Sequence, residues 1–138
     1  MLSLALLSSL SLLAAPGPGA VEGRWQTENP NGVVVIADCG DGTPCGTLRI
    51  DGPDAGALDA NNPDEALRDR PLDGVSMLWG FEAARDGSWR RGRIYDPEGG
   101  RVYRARLERT GETTLKVEGC LGPICQGQTW RLIEDAAD

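Results

Sequence analysis

Short segments of alternating apolar and polar residues, separated by Gly, Pro, Asp and Asn, constrain this chain more than any other feature of its sequence. A side-chain period of two belongs to a strand with one buried face, and frequent turn residues between such strands belong to an all-β domain. Eight segments qualify: 22–27, 33–38, 46–51, 75–82, 88–95, 101–108, 113–119 and 127–133. In 75–82 the alternation puts Val75, Met77, Trp79 and Phe81 on one face, and in 101–108 it turns Tyr103, Ala105 and Leu107 inward. Asp96-Pro97-Glu98-Gly99-Gly100 is a hairpin signal, because Pro fixes φ after Asp and Gly accepts positive φ. Eight strands with mostly short turns predict a small antiparallel up-and-down barrel, with a β-sandwich as the alternative.

One connection is long, 52–74. Within it Asn62-Pro63-Asp64-Glu65 reads as the start of a short helix, with Asn62 as N-cap, Pro63 at the first helical position and Glu65 as the reciprocal cap. A loop of this length in a compact domain is usually a functional or capping element, and closing one barrel mouth is the expected use.

The four cysteines fall into two close pairs, Cys39 with Cys45 and Cys120 with Cys125. Four cysteines allow three connectivities, and the sequence leaves all three open. Each close pair brackets a Gly/Pro-rich turn that can bring its Cα atoms to a disulfide separation of about 4.4–6.8 Å. Local disulfides are therefore expected. Zinc is the competing reading of four thiolates, but structural zinc pairs usually have two to four intervening residues and these have five and four, and an oxidising compartment favours disulfides.

At 138 residues the chain suits one domain, expected over 21–135. Residues 1–20 carry no charge and begin with an apolar run broken only by serines, shorter than the ~20 apolar residues of a membrane span. Small residues at positions 14, 15, 19 and 20 offer cleavage sites, so 1–20 reads as a signal peptide cut between 15 and 20, although it lacks the usual leading Lys or Arg. No membrane span is expected after its removal. Lys and Arg number 14 against 21 Asp and Glu, a formal charge of −7. That balance argues against nucleic acid or anionic lipid headgroups as partners.

Several motifs then coincide. They are Asp59-x-x-Asn62-Pro63-x-x-x-x-Arg68-x-Arg70-Pro71-Leu72-x-Gly74 and Gly92-x-Ile94-Tyr95-Asp96-Pro97-x-x-Gly100-x-x-Tyr103, together with Cys39…Cys45-Gly46 and Gly119-Cys120…Cys125-x-x-Gln128-Thr129-Trp130. On these the chain resembles the bacterial family known as domain of unknown function 2147, from about Val21 to Ile133. The resemblance implies a periplasmic or secreted bacterial protein and no particular reaction. A weaker resemblance is to the calycin barrels (lipocalins and fatty-acid-binding proteins). It rests on Gly23-Arg24-Trp25 in the first strand and on Arg131 late in the chain. It implies that Trp25 plugs one barrel end while the Arg131 guanidinium stacks on its face.

Histidine is absent, which removes Ser-His-Asp and Cys-His catalysis and imidazole metal sites. Counted from Asp59, an EF-hand would need Gly at the sixth position and an acid at the twelfth. Asp64 and Arg70 stand there. No enzyme, cofactor or metal is therefore expected. Arg68 and Arg70 can clamp a carboxylate, or bond to Asp59, Asp64 and loop carbonyls and hold the connection down. Arg91, Arg93, Trp89 and Tyr95 share a strand face, either turned inward to a ligand headgroup or solvated. Two functions follow. One is a binding module taking a small apolar or amphipathic ligand beside Trp79, Phe81, Arg91, Arg93 and Tyr95. The other is a cell-envelope structural or protein-interaction domain with a solid core.

Overall fold

The computed structural model describes residues 20–134. The expected signal segment lies outside these residues up to position 19. The chain forms nine strands: β1 (Gly23–Gln26), β2 (Gly32–Asp38), β3 (Pro44–Ile50), β4 (Ser76–Trp79), β5 (Glu82–Ala83), β6 (Trp89–Asp96), β7 (Arg101–Arg109), β8 (Thr114–Leu121) and β9 (Ile124–Glu134). All pairings between them are antiparallel, in the order β4-β3-β2-β1-β9-β8-β7-β6-β5. A further β4–β6 pairing, Leu78 with Ile94 and Trp79 with Arg93, closes eight strands into a barrel. Two-residue β5 is the extra strand, paired to β6 alone. The barrel expectation holds and the sandwich is excluded, because closure leaves one continuous sheet rather than two facing ones.

Tracing the chain up and down sorts the connections between two ends. Turns 39–43, 80–88 and 110–113 lie at one end, together with residue 20 and residue 134 of the described chain. Turns 27–31, 97–100 and 122–123 and the long connection 51–75 lie at the other. The first end is closed. Trp25, Ile36, Leu78, Phe81, Leu107, Leu115 and Trp130 are buried side chains of one hydrophobic cluster filling the barrel on that side. Phe81 packs so tightly on Gly92 that a Cβ there would sit 2.2 Å from its ring.

The Trp25 plug is present, but its guanidinium partner differs from the expected one. Arg109, at the end of β7, sits 5.5 Å above the Trp25 ring and donates to the carbonyls of Ala20, Gly111 and Glu112. Trp25 Nε1 donates to Val21 O at 2.9 Å. Arg131 is exposed instead. It follows inward-facing Trp130 in β9, so strand alternation sends it to the outer face.

Two other local expectations change. The β3–β4 register shifts between Gly46 and Thr47, which face Leu78 and Ser76, so Met77 is an extra residue and the alternation breaks inside β4. Leu78 is consequently the fully buried residue of the strand, and Trp79 is half-buried. In the long connection, Asp64 and not Asn62 caps the helical turn, which is a 3-10 turn of only Glu65–Leu67. Asn62 Oδ1 instead accepts from Asp64 N at 2.8 Å, a local side-chain turn that takes the capping role away. A second 3-10 turn covers Gly52–Asp54.

Both local disulfides form, Cys39–Cys45 and Cys120–Cys125, with Cα separations of 5.1 and 4.0 Å. The first lies at the closed end. The second joins directly paired residues of β8 and β9 at the opposite end. With their sulfurs joined, these four residues offer no thiolate set to zinc.

Candidate ligand cavity

Beyond the Trp25 and Trp130 layer the barrel interior is open. A cleft of about 700 Å³ is lined by Met77, Ile94, Tyr103, Val117, Gly119 and Gln126, among others. It adjoins a second lobe of about 680 Å³ between Leu48, Ile50, Leu58, Leu72 and Trp130, and Met77, Asp96 and Gln128 belong to both. Each lobe exceeds the ~300 Å³ lower end of small-molecule sites.

The β8–β9 hairpin supplies one wall. Its register pairs Leu115 with Trp130, Val117 with Gln128, Gly119 with Gln126 and Leu121 with Ile124. Because Leu115 and Trp130 face the core, every second residue toward the hairpin tip faces the interior as well. Leu121 and Ile124 nevertheless remain 61% and 70% exposed, since no side chain fills the space before them. Gln128 Oε1 accepts from Trp130 Nε1 at 2.9 Å, a polar contact at the cavity floor.

The long connection supplies part of the opposite wall through Ala57, Leu58, Ala60, Asn61 and Leu72. A buried cluster pins it to the barrel. Asp59, 1% exposed, accepts from Tyr95 Oη at 2.5 Å, from Asn62 Nδ2 at 2.9 Å and from Arg70 Nε at 2.9 Å. Burial would raise the Asp59 pKa, but these three hydrogen bonds outweigh it and hold the carboxyl below its usual range. Tyr95 is pushed up to about 12, by burial first and then by its bond to the Asp59 carboxylate. Arg70 also lies 6.0 Å over the Tyr95 ring. Arg68 Nε donates to Asn62 O at 2.8 Å, and Leu58 bridges to Pro71. Pro63 is exposed beside this cluster. The Arg68/Arg70 pair thus holds the connection down rather than standing ready for a ligand. On the turn 97–100, Gly100 has φ +64° and leaves no room for a Cβ, which would meet Asn61 O at 1.9 Å. Asn61 Nδ2 donates to Glu98 O at 3.0 Å across the same junction.

The residues singled out for ligand contact from the sequence do not converge. Tyr95 borders the cleft, but its hydroxyl is committed to Asp59. Phe81 is core at the closed end, and Trp79 pairs with Arg93 on the face opposite Leu78 and Ile94. A bulge between Trp89 and Gly92, with Arg91 at φ +58°, ends the expected alternation. The Arg91 side chain is 81% exposed, 3.7 Å from Glu82, and Arg93 Nη1 bonds to Gly92 O. Neither arginine lines either lobe. The missed residues are Gln126, Gln128, Leu121 and Ile124. Counting in twos back from Trp130 along β9, and forward from Leu115 along β8, would have found them.

No helix among the described residues is long and apolar enough to cross a membrane. No curated protein matches the chain. Its fold is similar to that of a Helicobacter pylori protein described as belonging to the lipocalin family, with TM-score 0.72, 21% identity and 83% of each chain covered. A family match runs over residues 23–131, and the chain belongs to that family, described as uncharacterized protein conserved in bacteria, DUF2147.

Proposed function

We propose that the protein is an exported bacterial binding module that takes a small apolar or amphipathic ligand into the open half of its barrel. The observation that carries this reading is the cleft of about 700 Å³, reached past the exposed Leu121 and Ile124. A barrel whose other half is filled by tryptophans has the side chains to close this space too, yet Gly119 and Gln126 face it instead. Ligand sites commonly combine an apolar lining with a few polar groups, and Tyr103, Gln126 and Gln128 supply them here. Two disulfides support an oxidising compartment such as the periplasm or the exterior. The DUF2147 family and the lipocalin-like barrel are compatible with binding rather than catalysis.

The test is titration with N-phenyl-1-naphthylamine, a neutral apolar probe that fluoresces when desolvated. Saturable binding to the wild type is expected, with loss in Gly119→Phe, whose ring would occupy the cleft beside Ile94 and Tyr103. Circular dichroism verifies that the variant folds. No binding to the wild type, or equal binding to a folded variant, would refute the reading.

A further inference from the structure

We infer that the cavity selects amphiphiles with a cationic head over those with a carboxylate head, an inference that rests on the binding reading above. Glu28 and Asp96 line the first lobe, and Asp54, Asp96 and Glu98 line the second. No Lys or Arg lines either one. Arg91 and Arg93 are exposed outside the cavity, Arg70 and Arg68 are used within the long connection, Arg109 lies at the closed end, and Arg104, outside both linings, donates to Gly122 O in the β8–β9 turn at 3.2 Å. Arg101 pairs with Asp96 in the β6–β7 register, but its side chain is exposed and makes no ion pair with that carboxylate.

The rim carboxylates lack cationic partners among the described residues. Their bonds are to neutral donors: Glu28 Oε1 accepts from Thr129 N at 3.2 Å, Asp54 Oδ2 from Asn31 Nδ2 at 2.8 Å, and Asp96 Oδ1 from Glu98 N at 3.0 Å. Each bond holds its carboxylate in place and leaves its charge uncompensated. The exposed apolar pair Leu121 and Ile124 stands at the same mouth, so an apolar tail enters past them while its head remains among the carboxylates. An anionic head would meet like charge with no counter-ion, and the repulsion acts against binding.

Three probes with one alkyl chain test this: dodecyltrimethylammonium, dodecanol and dodecanoate. Each is titrated by displacement of the naphthylamine, below its micellisation concentration and at about 0.1 M salt. Screening over ~10 Å then suppresses the general negative field of the protein and leaves nearby charges effective. The ammonium probe is expected to bind at least about tenfold more tightly than dodecanoate. The double variant Glu28→Gln/Asp96→Asn should bring the ratio below about threefold, with dodecanol unaffected. Glu112→Gln, which removes one charge at the closed end, should leave the ratio unchanged. Equal or tighter binding of dodecanoate overturns the inference while the binding reading stands. A preference that survives the double variant, or falls equally with Glu112→Gln, also overturns it. Failure of all three probes, dodecanol included, defeats the binding reading itself.

Discussion

Replacing Tyr95 with Phe removes one oxygen from a buried polar contact that pins the long connection to the barrel. Asp59 Oδ1 receives the Tyr95 hydroxyl at 2.5 Å, while Oδ2 is shared by Asn62 and Arg70. A hydrogen bond to a charged group contributes about 1.5–3 kcal/mol, so the variant should lose about that much stability at pH 7. The alkaline behaviour is more diagnostic. The Tyr95 pKa is raised to about 12 in the folded protein, against about 10 in an unfolded chain. The folded state therefore holds this proton more tightly. The resulting stability is complete below pH ~10 and is lost as pH rises through ~12, as the unfolded chain ionises first. Each unit is worth about 1.4 kcal/mol, so the wild type should lose about 2–3 kcal/mol across this window that Tyr95→Phe does not. Urea unfolding of both proteins from pH 8 to 12 measures the difference, and absorbance at 295 nm follows tyrosine ionisation directly. The wild type should show a step near pH 12 that the variant lacks. A gap between the two proteins that stays constant across this range, or a wild-type titration without the late step, would refute the account of Tyr95 as a buried donor to Asp59.

Arg109→Ala should destabilise the barrel by about 1–3 kcal/mol in urea unfolding, since it removes the stack on Trp25 and leaves three carbonyls without their donor. Arg131→Ala should stay within about 0.5 kcal/mol, as expected of an exposed side chain. Gly92→Ala should cost about 1–3 kcal/mol by thermal or urea unfolding, because its Cβ would overlap the Phe81 ring and overpack the closed end.

Strand positions were largely legible because a half-buried strand writes its pleat into the sequence as alternation. Where that reading fails, a local bulge is responsible. The extra residue at Met77 in the β3–β4 pairing exchanges Trp79 for Leu78 on the inner face, and the Arg91 bulge moves the basic cluster out of the regular alternation. Neither bulge is encoded in hydropathy. The tryptophan–arginine stack is legible in kind, but a late place in the chain points to Arg131, whereas its position next to inward-facing Trp130 argues against it. The cavity was the least legible feature. Emptiness depends on what neighbouring strands fail to fill. The turn bracketed by Cys120 and Cys125 was legible in Gly122 and Pro123, and the β8–β9 ladder runs up to it on both sides.

The described chain enters and leaves the barrel at its closed end, where Arg24 Nε meets Glu134 Oε1 at 2.7 Å. An attachment made through either end therefore points the mouth away from its anchor. Immobilised on a sensor surface, or joined to a neighbouring protein through a linker, the barrel would hold its opening toward the solution. Pulled by both ends, it would load β1 against β9 and unzip that seam first.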